Sequence, residues 1–309
     1  MKLISFDSQL ERSDHMFKHI LRKILYEGSM DINPRPKYAD GTPAHTLSIN
    51  GVVMKYDLSK GEFPLISLRP IAYKSAIKEI LWIYQDQTSD LNVLRDKYGV
   101  TWWDEWAVPD PVSPNGLMKT CSTIGSCYGH TVKRYDMMNK ILEGLKNDPD
   151  SRRHIINLWQ EEEFKEPHGL KPCALYTQYI VRHSKDEATG KIIDYLDAIL
   201  MLRSSDFIMA GTINAVQYAV LMCLVARHCS YEPGELTVMY NNCQIYDRHV
   251  DAAKEMLNNR ETVHGFPKVI LNPEKTNFYD FTMDDITIQG YPLLAIKNVN
   301  PQFNLDIGI

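Results

Sequence analysis

The sequence predicts a single α+β domain over residues 1–309, in which strands and helices alternate along the chain. Segments 175–181 and 192–202 are rich in the β-branched and aromatic residues that favour strands. In segments 17–25 and 71–85, apolar residues recur at the spacing of one helix face. No stretch rich in Gly, Ser or Pro divides the chain, so we expect one hydrophobic core.

The N-terminal part of the chain predicts a helix, a loop and the start of a sheet. The helix over 17–25 stops at Gly28, because glycine is common just after helix ends. Two prolines in segment 33–38 exclude a helix there and place its cations on an extended loop. Segment 46–56 favours strand, and its Asn50-Gly51 dipeptide favours a hairpin turn that breaks the strand.

The C-terminal part predicts more elements of both kinds. A helix is expected over 135–146, and strands over 192–202 and 236–240. Segment 241–246 is expected to join the second of these strands to the last helix, which contains Val250 and Leu257. The run over 213–229 is almost wholly apolar, which is typical of a fully buried helix. Polar groups at the edges of a buried helix are costly unless they bind something. We therefore expect a binding site beside this helix.

Composition excludes several kinds of partner. The chain has 34 basic and 39 acidic residues, and its net charge of −5 gives no overall field for nucleic acid or an anionic membrane. No segment approaches the roughly 18 apolar residues of a membrane span, and the N-terminus lacks a signal-peptide pattern. The six cysteines form no CxxC pair and no zinc-ligand spacing, which favours a reducing compartment. We therefore expect a cytoplasmic protein.

Cys173 is the first candidate for chemistry. It directly follows Pro172, at the entrance of the strand predicted over 175–181. Proline lacks an amide donor and fixes its own φ, so the thiol stands at a strand entrance or edge. That position suits a nucleophile, although a lone cysteine is more often a small core residue.

A glutamate and a group of tryptophans are further candidates. Glu79 has apolar residues three and four positions away on its predicted helix, which shield its carboxylate from water. Shielding raises a carboxyl pKa toward neutrality and suits proton transfer, whereas a pair with a neighbouring lysine is the structural alternative. Segment 102–106 holds three of the five tryptophans, which either fill a core corner or offer flat faces to a planar ligand.

Arginines and an asparagine indicate an anionic ligand with a polar ring. Arg152 and Arg153 are adjacent in a strand-like segment, where alternation sends them to opposite faces unless the strand lies at an edge or interface. Arginine binds phosphate through bidentate bonds, and a buried asparagine such as Asn214 both donates to and accepts from a base edge. The chain has no P-loop or GxGxxG motif, so we expect a nucleotide site of another kind.

The order of these motifs resembles the thymidylate synthase family, the folate-dependent enzymes that methylate dUMP. The motifs are Trp103-Asp104-Glu105-Trp106, Asp150-Ser151-Arg152-Arg153, Pro172-Cys173, Arg203-Ser204-Ser205-Asp206, Asn214 and Tyr246. The resemblance runs from the first helix to the last residue, and segments 35–38 and 68–72 look like a bacterial branch. It implies a large mixed β-sheet flanked by helices, with the sheet packed at a two-fold dimer interface.

The resemblance implies that dUMP becomes dTMP, with 5,10-methylenetetrahydrofolate as the donor of carbon and hydride and dihydrofolate as the second product. It makes Cys173 the nucleophile that adds to carbon six of uracil, because thiolate addition turns carbon five into an enolate. Arg203 would bind the nucleotide phosphate and favour the thiolate. Ser204 and Arg35 would complete the phosphate site. No metal is implied.

Further matches concern the partner subunit and the nucleoside. Arg152 and Arg153 match the pair that the family extends across a two-fold axis to the partner's phosphate site, which implies a homodimer. Asn214 matches the amide that reads uracil, whereas relatives that act on cytosine nucleotides carry aspartate there. Tyr246 matches the residue that binds the deoxyribose hydroxyl.

The remaining matches concern proton transfer and folate. Glu79 and Tyr128 match residues that organise proton transfers through water. Trp103 and Asp206 match residues that flank and hold the folate, and Asp206 is also expected beside dUMP. The tail that ends in Ile309 resembles the segment that closes over the folate.

The sequence departs from the family pattern at several positions. The resemblance places Gln244 on the nucleotide, yet the family usually carries histidine there, and glutamine cannot take up a proton. Leu202 stands where family members often carry glutamine, and Ala174 stands where they commonly carry histidine. Segment 210–213 replaces the usual Gly-x-Pro-Phe, so packing of the folate or the tail is expected to differ there.

Two alternatives stay open from the sequence. A nucleotide hydroxymethylase of the same family shares the cysteine addition and the folate carbon but uses water in place of hydride. A non-catalytic nucleotide-binding or RNA-binding relative is compatible with Gln244. The complete set of nucleophile, phosphate-binding arginines and Glu79 disfavours this second alternative, and the net charge of −5 gives RNA no electrostatic footprint.

Overall fold

The structure is a computed structural model that describes residues 5–108, 122–164, 170–187 and 189–309. Its α-helices are α1 (Gln9–Glu27), α2 (Tyr73–Tyr84), α3 (Leu91–Tyr98), α4 (Gly129–Arg134), α5 (Met137–Asn147), α6 (Thr212–Cys229), α7 (Val250–Asn258) and α8 (Leu293–Val299). Its β-strands are β1 (Ser29–Met30), β2 (Thr46–Asp57), β3 (Ile155–Asn157), β4 (Ala174–Lys185), β5 (Ile192–Leu202), β6 (Ser205–Asp206), β7 (Glu232–Tyr246), β8 (Lys268–Leu271) and β9 (Ile286–Gln289).

A seven-stranded sheet carries most of the β structure in the described residues. Its path is β1-β2-β7-β5-β4-β3, and β6 pairs with β7 outside that path. β5 and β6 run parallel to β7, whereas the other neighbours are antiparallel. β8 and β9 form a separate antiparallel hairpin. The predicted α+β class with one large mixed sheet is confirmed.

The two faces of the sheet differ in their surroundings. On one face, alternate side chains such as Tyr179, Leu200 and Val238 are buried in the core beneath the helices. On the other face, strand pairing aligns apolar side chains that are only partly covered. These are Val53, Ile155, Ile180, Ile199, Met201 and Met239. This second face therefore presents apolar side chains that are only partly covered.

Helix α6 forms the centre of the core. Of its 18 residues, 14 are buried, and it packs against α2, α5, β5 and β7. With the preceding π-helical turn Phe207–Gly211, it makes a segment that is long and apolar enough to cross a membrane. The expectation that no segment reaches this length is wrong. However, 78% of its most apolar window is buried inside the fold, as in a core helix.

Replacing Leu221 with alanine should lower the free energy of unfolding by about 2–5 kcal/mol, because the change leaves a cavity in the core. Leu221 lies on α6 with 0% exposure. Urea denaturation followed by circular dichroism measures the loss. The matched control is Leu294→Ala on α8, where the side chain is 74% exposed and the expected change is within about 0.5 kcal/mol. Equal losses in both variants would contradict the central position of α6.

Three elements differ from the sequence-based predictions. β2 continues through Asn50 and Gly51, because β7 pairs with it on both sides of that dipeptide, and glycine accepts the φ of 71° found there. β7 continues from Tyr240 to Tyr246 instead of ending in a loop, since β2 and β6 flank that part. α7 is not the last helix, because the β8–β9 hairpin and α8 follow it.

Candidate active site

Cys173 lies directly before β4, with its backbone held on two sides. Its N–H donates to the hydroxyl of Tyr128 at 2.9 Å. Its carbonyl accepts from the N–H of Arg203 at 2.9 Å. Pro172 has no N–H, so the ladder of β4 begins only after the cysteine. The thiol is half-buried at the strand entrance, where the sequence predicted it.

The side chain of Arg203 holds the loop that carries the nucleophile. Its Nε donates to the carbonyl of Pro172 at 3.0 Å, and its Nη2 donates to the carbonyl of Lys171 at 2.9 Å. Burial raises the pKa of Cys173, and the positive charge of Arg203 opposes that rise. Arg203 therefore acts in the predicted direction, but burial outweighs it, and the pKa of Cys173 lies above its ordinary value.

Tyr128 and Trp103 form the wall next to the cysteine. Tyr128 adopts a φ of 46° directly before α4 and is 6% exposed. The following Gly129 lies so close to the backbone of Thr88 that a Cβ would meet the Thr88 carbonyl oxygen at 2.2 Å. This close approach fixes the tyrosine. Its ring contacts the Trp103 ring with centroids 5.6 Å apart.

Glu79 is a buried carboxylate on α2. It is 7% exposed, and burial raises its pKa to about 7. The polar groups of Gln217 and Trp103, which lie nearby, and the hydrogen bond from Trp102 oppose that rise. The helix neighbours of Glu79 predicted its shielding, and the alternative pair with a lysine is not observed among the described residues. A carboxyl group with this pKa exchanges protons readily near neutral pH.

Trp102 is a contact of Glu79 that sequence reasoning did not single out. Its indole Nε1 donates to Glu79 Oε2 at 2.5 Å. The available signal was its place beside Trp103 in the tryptophan-rich segment, but spacing alone does not show which indole faces a carboxylate. Trp103 differs from Trp102, because its Nε1 is shielded from solvent and makes no hydrogen bond with any described residue.

Replacing Trp102 with phenylalanine should raise the pKa of Glu79. The step in the pH profile of turnover that we expect from Glu79 should then move about one unit toward alkaline pH. The indole N–H stabilises the ionised carboxylate, so its loss raises a pKa that already lies at about 7. Turnover measured between about pH 5 and 9 gives the shift. The matched control is Trp159→Phe, which removes an indole bond to the exposed carboxylate of Glu161. A limb that stays in place for Trp102→Phe would show that Trp102 only fills space.

The first turn of α6 carries two amide side chains that touch. Asn214 Nδ2 donates to Gln217 Oε1 at 3.1 Å. Asn214 is half-buried, whereas Gln217 is 2% exposed. The sequence singled out Asn214 but missed Gln217, although a glutamine three positions later in an apolar helix was a usable signal. Gln217 is also close enough to Glu79 on α2 to lower the pKa of that carboxyl group.

The arginines and Ser204 that were predicted to bind phosphate lie in different surroundings. Ser204 Oγ donates to Asn242 Oδ1 at 3.1 Å. Arg35 is exposed on its loop, and Arg152 and Arg153 are both exposed. These last two precede β3, which begins at Ile155, so they are not within a strand and the alternation argument does not apply to them. β3 is an edge strand, as the sequence allowed.

Asp206 and Gln244 are neighbours in the pair of β6 and β7. Asp206 Oδ1 accepts from the N–H of Met209 at 3.2 Å and begins the π-helical turn before α6. Its Oδ2 lies 3.6 Å from Nδ1 of the buried His249. Burial raises the pKa of Asp206, and His249 opposes that rise.

Tyr246 lies where the C-terminal tail meets the loop of Arg35. Its hydroxyl donates to the carbonyl of Gly308 at 3.1 Å. Ile309 and Lys37 exchange two backbone hydrogen bonds of 2.9 Å each. The pKa of Tyr246 is raised to about 12, chiefly by burial. Asp206 and Cys173 raise it further and Arg35 lowers it, so each of these groups lies within electrostatic range of Tyr246.

Two of the departures from the family pattern face each other. Ala174 at the start of β4 is paired with Leu202 at the end of β5. Both side chains are buried in the core, with exposures of 4% and 0%. The strand entrance beside Cys173 is therefore apolar at both of these positions.

The structure places several of the predicted residues near Cys173. Tyr128 contacts both Cys173 and Trp103, and Trp103 is close enough to Glu79 to lower the pKa of that carboxyl group. Cys173 in turn contributes to the raised pKa of Tyr246. Arg152 and Arg153 are predicted to act on a second subunit, so a single chain does not test their role. A half-buried thiol, a buried carboxylate of near-neutral pKa and nearby arginines are typical of a transferase that works through a covalent thiol intermediate.

Comparison with known proteins agrees with this class. The family model for thymidylate synthase matches residues 15–299. A thymidylate synthase from Lactococcus lactis subsp. cremoris is 44% identical over 298 residues, which is 96% of this chain and 99% of that protein. One from Streptococcus mutans is 43% identical over 301 residues, which is 97% of this chain and 100% of that protein. The thermostable thymidylate synthase A from Bacillus subtilis superposes with a TM-score of 0.79 at 31% identity, over 96% of this chain and 99% of that one.

The chain therefore belongs to the thymidylate synthase family, and it is a methyltransferase. The resemblance drawn from the motifs is confirmed, as is the fold that it implied.

Proposed function

We propose that this protein is a thymidylate synthase that converts dUMP to dTMP, with 5,10-methylenetetrahydrofolate as co-substrate and dihydrofolate as second product. The whole chain, residues 1–309, acts as one catalytic domain. The observation that carries the proposal is the fixed position of Cys173. Its backbone forms hydrogen bonds with the Tyr128 hydroxyl and the Arg203 N–H. Family membership supplies the class of reaction.

Cys173 acts as the nucleophile. Its thiolate forms a bond to carbon six of uracil, and the ring electrons move onto carbon five and the oxygen at position four, which makes carbon five nucleophilic. Arg203 stabilises the thiolate, although burial favours the free thiol before substrate arrives. The co-substrate would supply the new carbon and the hydride that reduces this carbon to a methyl group. After carbon five has lost its proton, the Cys173 bond to carbon six would break with its electron pair returning to sulfur, which restores the ring double bond and releases the product.

Glu79 holds and moves protons during this sequence. Its pKa of about 7 lets it accept and return a proton at neutral pH. Tyr128 lies between Glu79 and Cys173 and orders the water that carries the proton. Asn214 binds the polar edge of uracil through its amide, and Tyr246 binds the deoxyribose hydroxyl once the tail carbonyl releases it.

The described residues fit a folate co-substrate. When bound, methylenetetrahydrofolate supplies the one-carbon unit and the hydride. Trp103 offers a flat ring and a shielded indole N–H that lacks a partner among the described residues. Asp206 presents a buried carboxylate that can accept from a ring N–H, and the tail that ends at Ile309 covers this side. In the described parts of the chain, no group of three or more His, Cys, Asp or Glu is placed to hold a metal ion.

The phosphate of dUMP is bound by arginines of two subunits. Arg203, Ser204 and Arg35 contribute from one chain, and Gln244 contacts the nucleotide through its amide. Arg152 and Arg153 are exposed at the sheet edge and extend to the partner's site. The partly covered apolar face of the sheet supports a homodimer, because apolar side chains exposed on such a face are suited to contact with a second copy.

The cytoplasm is the proposed location. In the described residues, Cys127, Cys173, Cys223, Cys229 and Cys243 are free thiols. A nucleophilic thiol needs a reducing compartment to stay reduced, and nucleotide and folate are then available in the same compartment.

The test is an assay of the purified protein with dUMP and methylenetetrahydrofolate. We expect dihydrofolate to accumulate, followed by ultraviolet absorbance, together with an equal amount of dTMP. Release of 5-hydroxymethyl-dUMP without dihydrofolate would assign the hydroxymethylase reaction instead. Binding of dUMP with neither product would assign the non-catalytic alternative.

A further inference from the structure

The C-terminal tail, residues 301–309, is held by contacts inside and outside the proposed nucleotide site. Its last residue, Ile309, exchanges two backbone hydrogen bonds of 2.9 Å with Lys37. The hydroxyl of Tyr246 donates to the carbonyl of Gly308 at 3.1 Å. The proposed function gives that hydroxyl to the deoxyribose, so this contact is lost when dUMP binds. Contacts outside the nucleotide site must then hold the tail.

Arg248 joins the tail to the loop over 35–44. It lies in the short turn between β7 and α7. Its Nη1 donates to Asp306 Oδ2 at 2.8 Å, and its Nη2 donates to Asp40 Oδ2 at 2.6 Å and to Thr42 Oγ1 at 2.9 Å. One planar guanidinium therefore divides its donors between a carboxylate of the tail and a carboxylate of the loop.

The neighbours of Arg248 fix its position. Its guanidinium lies over the Tyr38 ring, with Cζ 3.9 Å from the ring centroid. The Tyr38 hydroxyl donates to Asp247, which also accepts from the N–H of Arg248 at 3.0 Å. The fully buried His249 donates from Nε2 to the carbonyl of Asp306 at 2.7 Å, because a carbonyl oxygen only accepts. Asp306 is thus held at both its side chain and its backbone.

We propose that Arg248 is a positioning residue, which latches the tail to the loop that carries Arg35 and so holds the folate side of the site closed. A single exposed ion pair stabilises little, but Arg248 bridges two carboxylates while stacked on an aromatic ring. The latch persists when Tyr246 turns from the tail to the deoxyribose, because Arg248 contacts Asp306 instead. This inference rests on the proposed function, which assigns the tail to the folate.

Digestion of the full chain by a carboxypeptidase tests the latch without any ligand. The protease removes Ile309 only from a detached tail, so its rate follows the population of that open form. In Arg248→Met this rate should rise at least about threefold, because the charged contacts with Asp306 and Asp40 are lost. The difference from wild type should shrink in about 1 M salt, where the screening length is about 3 Å. A loss of packing alone would not respond to salt in this way.

Two further variants separate the latch from a general effect of losing an arginine. Asp306→Asn removes only the charge on the tail, so the double variant with Arg248→Met should lose Ile309 no faster than Arg248→Met alone. The matched control is Arg12→Met on α1, which removes an ion pair of 3.0 Å with Glu62 and should leave the release rate at the wild-type value. A wild-type rate in Arg248→Met would overturn the latch.

Steady-state kinetics connect the latch to the folate. In Arg248→Met the KM for methylenetetrahydrofolate should rise at least about threefold, while the dissociation constant of dUMP without folate stays within about twofold. Faster release of Ile309 with an unchanged KM would overturn the role of Arg248 on the folate side. Wild-type protein that makes no dTMP would overturn the proposed function, whereas the digestion rates would still decide whether Arg248 holds the tail.

Discussion

Replacing Cys173 with alanine should reduce turnover by at least about 10⁴-fold, because the covalent route through carbon six of uracil is lost. Binding of dUMP should survive, since Arg203, Ser204 and Asn214 all remain. Alanine also keeps the backbone N–H and carbonyl that Tyr128 and Arg203 hold, so the strand entrance stays intact. Initial rates of dihydrofolate formation and calorimetry with dUMP measure the two effects.

A cysteine outside the site provides the control for this loss. Cys229 at the end of α6 is 8% exposed and lies against the carbonyl of Leu142. Cys229→Ala should keep turnover within about threefold of wild type and lose only packing energy. Near-normal turnover in Cys173→Ala would rule out the covalent mechanism.

Replacing Glu79 with glutamine should lower kcat by about 10²–10⁴-fold, the range for a lost general acid or base. Glutamine keeps the size of the side chain but cannot exchange a proton. Because burial raises the Glu79 pKa to about 7, the wild-type rate should change steeply near that pH. The variant should lose that limb of its pH profile. Turnover measured across the pH range gives both results.

Glu163 is a matched buried carboxylate that makes no hydrogen bond with Cys173, Tyr128 or Glu79 among the described residues. It is 5% exposed, accepts from Thr131 Oγ1 and pairs with Arg134. Glu163→Gln should lower stability and leave kcat within about threefold of wild type. If Glu79→Gln affects kcat no more than this control, Glu79 is not the proton carrier.

Much of the fold follows from local patterns that the sequence displays. The apolar spacing of α1 and α2, the strand composition of β4 and β5, and the apolar run of α6 each identify their own element. These elements bury one regular face, so periodicity is sufficient to find them. The Asn50-Gly51 dipeptide was misleading, because its local preference for a turn is overridden by pairing with β7 along the full length of β2.

Some residues of the candidate site can be predicted from the sequence, and others are recognised only in the structure. Cys173 and Glu79 were found because their immediate neighbours, a proline and a set of apolar helix positions, already constrain them. Trp102 and Gln217 were missed because their importance lies in contacts with Glu79 and Asn214, and hydrogen-bond partners are not encoded in spacing. The balance between burial and Arg203 on the Cys173 thiol also depends on the packed environment.

The sequence by itself determined the fold class, the family and the main chemical groups, since these depend on residue type, local order and spacing. Only the tertiary structure decided that β2 and β7 run unbroken, that burial outweighs Arg203 at the thiol, and that Gln217 accepts a hydrogen bond from Asn214. The physical reason is that strand continuation, desolvation and hydrogen-bond partners depend on groups far apart in the chain, which come together only when the core has formed.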